Sequence, residues 1–164
     1  MPLNQELETT GNWLFRYRSY LPIILFPILI YFLYDTSQSK PNTTILIISI
    51  IISYFGELIR IITAAFVAPG TSGRNTNQQY AITLNTTGIY STVRHPLYLG
   101  NYLIFLGPCV YVENVNVLII YSLIFWLYYE RIMYAEEAFL CNKFKNEFIT
   151  WSMTVPAFFP SFKD

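Results

Sequence analysis

The sequence predicts an all-α integral membrane protein with about four transmembrane helices, a long cytosolic 69–96 loop and a C-terminal helix projecting into the cytosol. Three observations carry this expectation. Of 164 residues, 54% are hydrophobic and only 12% charged, against roughly 25% charged in soluble domains. The charges avoid four sixteen-residue runs, 19–34, 41–56, 97–112 and 114–129. Those runs leave almost no polar helix face of the kind a soluble bundle shows to water. The same composition excludes other classes. Ten Lys+Arg balance ten Asp+Glu, so there is no basic excess to neutralise phosphates and no nucleic-acid partner is expected. The chain is too apolar for disorder, and its two cysteines build no disulfide scaffold. The length allows one domain, 1–164.

A spanning helix needs about 17–25 apolar residues. Each run must therefore borrow flanking Trp, Tyr or Arg side chains that settle at the interface. Spans are expected at about 13–34, 43–67, 97–112 and 115–143. The segment before them, MPLNQELETTGN, is polar and acidic and does not read as a cleavable signal. Nine of the ten Lys and Arg fall on the side of the two termini and the 68–96 loop, with Lys40 alone opposite. The positive-inside rule puts that side in the cytoplasm. Cys109 and Cys141 belong to opposite ends of the last two spans, too far apart for a disulfide.

Ionisable groups inside membrane helices need a reason. Glu57 and Arg60, three apart on span two, are spaced to pair on one face. The pair either serves packing alone or borders a polar cavity. Span four continues without Pro or Gly from Val115 to Trp151 and carries Glu130, Arg131, Glu136 and Glu137. Adjacent helix positions differ by about 100°, so one of Glu136 and Glu137 can face inward while the other meets water; the alternative is a solvated charged helix end. The 69–96 loop is rich in Gly, Asn, Thr and Ser and ends at Arg94-His95-Pro96. Pro at a first helical position is favoured, which makes His95 an N-cap. A helix start beside Arg94 is a place for an anion; otherwise His95 is simply a polar interfacial residue. As the single histidine it makes no multi-histidine metal site, and no metal is expected. No P-loop, nucleophile elbow or dinucleotide fingerprint is present.

Two stretches go further. LNTTGIYSTVRHPLYLGNYL resembles the cofactor motif of the isoprenylcysteine carboxyl methyltransferase and phospholipid methyltransferase family, and EEAFLCNKFKNEFITWSMTVPAFFP resembles its C-terminal motif. The likeness covers about residues 56–160, with both motifs in order around one membrane hairpin. It implies an integral membrane methyltransferase using S-adenosylmethionine (SAM). By the resemblance, Tyr90, His95, Pro96, Leu97, Tyr98 and Glu136 bind the cofactor, and Ile82, Thr83, Leu84 and Asn85 do so through a strand-like backbone; the SAM carboxylate needs donors, and Arg94 or the N–H groups near His95 are the candidates. Arg131 resembles the arginine that orients the acceptor, one residue off the family register. Glu137 or Glu130 is the nearest base should the acceptor be an amine. Lys145 stands where the family usually has Gly. The implied partner is a lipid or hydrophobic small molecule bearing a carboxylate, phosphate or amine. The chain is shorter than the eukaryotic prenylcysteine enzymes, which leans towards a prokaryotic inner membrane. A NADPH-dependent reductase of the sterol-reductase type and a non-catalytic four-helix scaffold are the alternatives.

Overall fold

The computed structural model describes residues 1–20, 42–67 and 79–162, with single helical positions at 27, 30, 31 and 34. It contains α1 (Leu3–Tyr17), α2 (Thr43–Phe66), a 3-10 turn (Gly88–Ser91), α3 (Pro96–Tyr111), α4 (Val115–Phe144) and α5 (Asn146–Thr154). No strand occurs among the described residues. Two of these helices, α2 and α4, are long and apolar enough to cross a membrane.

Local chemistry sets the helix starts. The Asn42 side chain accepts from the Thr44 amide at 3.1 Å, and Asn114 accepts from Asn116 at 2.9 Å. Each thereby satisfies an amide that the first helical turn leaves without a partner. Pro96 opens α3, because the residue before a proline is biased away from helical geometry. At 30 residues α4 is about 45 Å long. That exceeds a hydrocarbon core of about 30 Å by roughly ten residues.

The most extensive helix contact is α2 on α3, and small side chains make it possible. A Cβ on Gly56 would lie 2.7 Å from the Gly100 carbonyl oxygen and 2.8 Å from the Ile104 nitrogen. A Cβ on Gly107 would overlap Ser53 and the Ser49 carbonyl. The Ser53 hydroxyl donates across the seam to the Ile104 carbonyl at 2.9 Å. Close backbone approach of this kind substitutes for the hydrophobic effect, which lipid does not supply. On the other side, α1 lies against α4, with Gly11 pressed on the Arg131 carbonyl and Ala135. An aromatic core fills the α3–α4 seam. Phe125 and Tyr129 stack at 4.2 Å, and Tyr98 meets Tyr129 at 4.7 Å. Phe158 returns from the C-terminal segment to pack on Phe125 and Trp126.

Two expectations are corrected. The 13–34 span does not begin as one helix at 13: α1 closes at Tyr17, and Arg18–Tyr20 form a turn. Most of 21–34 lies outside the described residues, as does 68–78 of the long loop. The last helix does not run unbroken to Trp151. It stops at Phe144, because Lys145 adopts φ 48 and ψ −116, and a separate α5 follows. That backbone suits glycine, since a Cβ is crowded there. The lysine is strained at the position where the family motif has Gly. Lys145→Gly should therefore stabilise the fold by about 1 kcal/mol, read as a higher melting temperature in detergent. An unchanged or lower value would contradict the strain.

Candidate active site

His95 precedes Pro96 at the N-cap of α3, yet its ring makes no capping hydrogen bond. The buried imidazole reaches instead across to α4. Nε2 lies 3.0 Å from Glu137 Oε1, and Nδ1 lies 3.5 Å from Glu136 Oε2. Two ring nitrogens on opposite sides of one imidazole span the rotation between adjacent helix positions. Both acids are therefore turned towards the site, rather than one inward and the other to water. Each is about three-quarters buried, at 24% and 25% side-chain accessibility. The Tyr98 hydroxyl donates to Glu136 Oε1 at 2.9 Å, and the Tyr98 ring stacks beside His95 at 5.7 Å.

Arg94 completes the cluster. Its NH1 donates to the Ser152 carbonyl at 2.9 Å. Its buried Nε stands 3.0 Å from Glu137 Oε1 as an ion pair, but no acceptor is aligned with that N–H. The C-terminal segment fixes this loop through the backbone. The amides of Arg94 and His95 donate to the carbonyls of Pro156 and Ala157 at 2.9 and 3.1 Å, and the Ser161 amide donates to Thr92 at 2.9 Å. The Trp151 indole donates to the Tyr90 carbonyl at 3.0 Å. The two motifs, separated in sequence by residues 104–135, thus form one unit.

Charge states follow from these contacts. Burial, the largest single influence on His95, disfavours its charged form. The hydrogen bonds and negative charges of Glu136 and Glu137 together outweigh it, so the imidazole is held above its ordinary value. Burial, with the negative charge of Glu136, pushes the Tyr90 phenol up to about 12.

Of the residues singled out from sequence, Arg94, His95, Tyr98, Glu136 and Glu137 share this cluster, with Pro96 buried beneath them and Leu97 half-buried beside them. Tyr90 lies in the neighbouring 3-10 turn. The 82–85 segment is irregular rather than strand-like. Ile82 and Thr83 are exposed, while Leu84 and Asn85 are half-buried. This segment is tied to α4 by the Lys143 ammonium, which donates to the Ala81 carbonyl. A cavity of about 540 Å³ opens beside it, between α1 and the end of α4, with Asn12, Phe15, Gln79 and Phe139 in its wall. Arg131 is exposed and about 140° around α4 from Glu136, so it is not brought to the cluster. Reading the sequence missed Asn101, whose amide donates to the Tyr129 hydroxyl at 3.3 Å. It also missed the clamp at Ser152, Pro156 and Ala157; the Val-Pro motif was its only signal. Cys109 and Cys141 are free thiols. Among the described residues no three His, Cys, Asp or Glu gather as a metal site.

The phospholipid methyltransferase family model matches residues 44–147. The chain belongs to that family. A protein-S-isoprenylcysteine O-methyltransferase from Xenopus laevis is 29% identical over 127 residues, covering 76% of this chain and 43% of that protein. The enzyme of the same name from Schizosaccharomyces pombe is 32% identical over 77 residues, covering 47% of this chain and 33% of its own. A cobalt-zinc-cadmium resistance protein from Cupriavidus metallidurans is 40% identical over 89 residues, or 54% of this chain and 38% of that one. The chain spans about two fifths of the length of the curated relatives it matches.

The raised His95 sets a sign for pH dependence. The folded chain favours protonated His95, so this contribution is complete below the unfolded value of about 6.5 and fades as pH rises through the higher folded value. Melting temperature in detergent should fall over that window, and His95→Gln should remove the fall. An equal fall in the variant would assign it to other groups.

Proposed function

We propose that the chain is a membrane methyltransferase that moves a methyl group from SAM to a lipidic or hydrophobic small-molecule acceptor at the cytosolic face. The observation that carries this reading is the convergence of Arg94, His95, Tyr98, Glu136 and Glu137 at one helix start, held by the C-terminal backbone. The charge-free run 19–34 joins α2, α3 and α4 as the fourth span. Both termini and the 69–96 loop lie in the cytoplasm, in keeping with the basic residues. The ten residues by which α4 exceeds the bilayer then carry Glu136 and Glu137 out to meet a soluble cofactor.

The donor set fits SAM. The buried Arg94 N–H without an acceptor suits the amino-acid carboxylate. Glu136 and Glu137 suit its ammonium or ribose hydroxyls, and the rings of Tyr90 and Tyr98 suit a sulfonium. When bound, SAM supplies a methyl group activated on positive sulfur. The chain's own part is alignment. His95 and the Pro156–Ala157 backbone hold the two acids and Arg94 in fixed positions, so proximity supplies most of the acceleration.

Equilibrium binding to the purified protein in detergent tests this. Saturable SAM binding is expected and NADPH binding is not. His95→Ala and Glu136→Ala should each weaken SAM binding by about tenfold or more, as loss of a charged hydrogen bond implies, with the fold retained. Folded wild-type protein that binds no SAM would end the reading.

A further inference from the structure

The segment after α5 runs Val155-Pro156-Ala157-Phe158-Phe159-Pro160-Ser161, and its course can be followed in depth against α4. With the outer boundary at Val115, a hydrocarbon core of about 30 Å takes about 20 residues and ends near Tyr134. Phe125 and Trp126 then lie about 12–13 Å inside that boundary. The Phe158 ring meets them at 6.1 and 5.5 Å. It also meets Tyr102, seven residues past His95, at 6.0 Å. The Phe159 ring stands edge-on to Phe158 at 5.4 Å, yet Phe159 is 72% exposed. A large apolar side chain is thus uncovered by protein at hydrocarbon depth. On either side the chain is back at the cytosolic end of α3. The Pro156 and Ala157 carbonyls accept from Arg94 and His95, and the Ser161 amide donates to Thr92. Irregular backbone survives at membrane depth only where its polar groups are satisfied. Those three bonds serve that need, and Pro156 and Pro160 carry no N–H to satisfy.

We infer that residues 156–161 form an aromatic wedge inserted into the cytosolic leaflet, with Phe159 lying against lipid acyl chains. The inference rests on α4 crossing the bilayer, as proposed above, and not on the reaction. Two arguments make the occupant lipid. A water-soluble partner does not reach that depth. A protein partner needs area: one aromatic ring offers about 150–250 Å², well below the roughly 800 Å² per partner of a stable interface. Acyl chains need no such area, because they already fill the space beside α4. The wedge joins the site to the membrane. Phe158 is fixed on the protein side by the aromatic core, and Phe159 on the other by lipid. The two carbonyls just before them hold the Arg94 and His95 amides. The same short segment thereby sets the depth of the loop that carries His95, at the level where a soluble molecule and a bilayer-borne one can both arrive.

Cysteine labelling of the full chain in phosphatidylcholine nanodiscs tests this, with a membrane-impermeant maleimide as the probe. Phe159→Cys is compared with Glu147→Cys, exposed on α5, and with Leu123→Cys, 58% exposed in the middle of α4. The labelling of Cys109 and Cys141 in the wild-type chain is subtracted. Thiolate is the reactive form and hydrocarbon suppresses it, so Phe159→Cys should label at least about tenfold more slowly than Glu147→Cys. Its rate should match that of Leu123→Cys. A smaller difference between Phe159→Cys and Glu147→Cys overturns the wedge. If Leu123→Cys labels as fast as Glu147→Cys, the membrane span itself is overturned, and the inference with it. If Leu123→Cys is slow and Phe159→Cys fast, the wedge alone falls. Phe159→Trp in nanodiscs of acyl-brominated lipid identifies the occupant, and decides the matter should Phe159→Cys fail to fold. The emission that it adds to the wild-type spectrum should be quenched by the bromines. Unquenched emission would mean that lipid does not cover the residue, and overturns the inference.

Discussion

One imidazole between two adjacent carboxylates organises this structure. His95 touches Glu137 through one ring nitrogen and Glu136 through the other. Ionised carboxylates only accept hydrogen bonds, so both contacts are satisfied together only when both nitrogens carry protons. The bridge therefore favours the imidazolium at the start of α3 and draws Glu136 and Glu137 of α4 towards it. Arg94 adds a second cation. Buried charges persist only when paired, so loss of any one member leaves its partners exposed to the desolvation cost.

The rest of the fold brings these groups together. Pro96 fixes where α3 begins, and so where His95 sits. The small residues of the α2–α3 seam bring α2 close enough for Arg60 to reach across Gly100. The C-terminal segment presents two carbonyls to the Arg94 and His95 amides and is anchored by Phe158 in the aromatic core. The clamp explains how a loop poor in regular structure holds a defined geometry: its amides are satisfied from outside by a segment that is itself packed.

Much of this was legible in the sequence, for physical reasons. Pro96 as a first helical residue and the apolar lengths of α2 and α4 follow from backbone chemistry and periodicity. The membership of His95 and Glu136 in one site followed from paired motifs. What was not legible depended on tertiary contacts. Helical rotation alone implied that Glu136 and Glu137 diverge, but a two-nitrogen partner spans the difference. Nothing in composition showed that Lys145 would take a glycine-like backbone, because lysine has no such preference; only the family pattern hinted at it. Arg131 was singled out by its resemblance to an acceptor-orienting arginine, one residue off register, and it lies exposed on another face of α4 from Glu136. Arg60 was visible as an anomaly in an apolar helix, and only the missing Cβ of Gly100 shows where its stem goes.

Because His95 is the single histidine of the chain, its ring resonances report on the central claim without assignment. A nitrogen-15 NMR titration of histidine-labelled protein in detergent, with and without S-adenosylhomocysteine, would follow them directly. The account predicts an imidazolium with both nitrogens protonated at neutral pH, a titration midpoint above the ordinary 6.5 or so, and a shift of these resonances when S-adenosylhomocysteine is added. A midpoint at or below the ordinary value, together with resonances indifferent to S-adenosylhomocysteine, would contradict it.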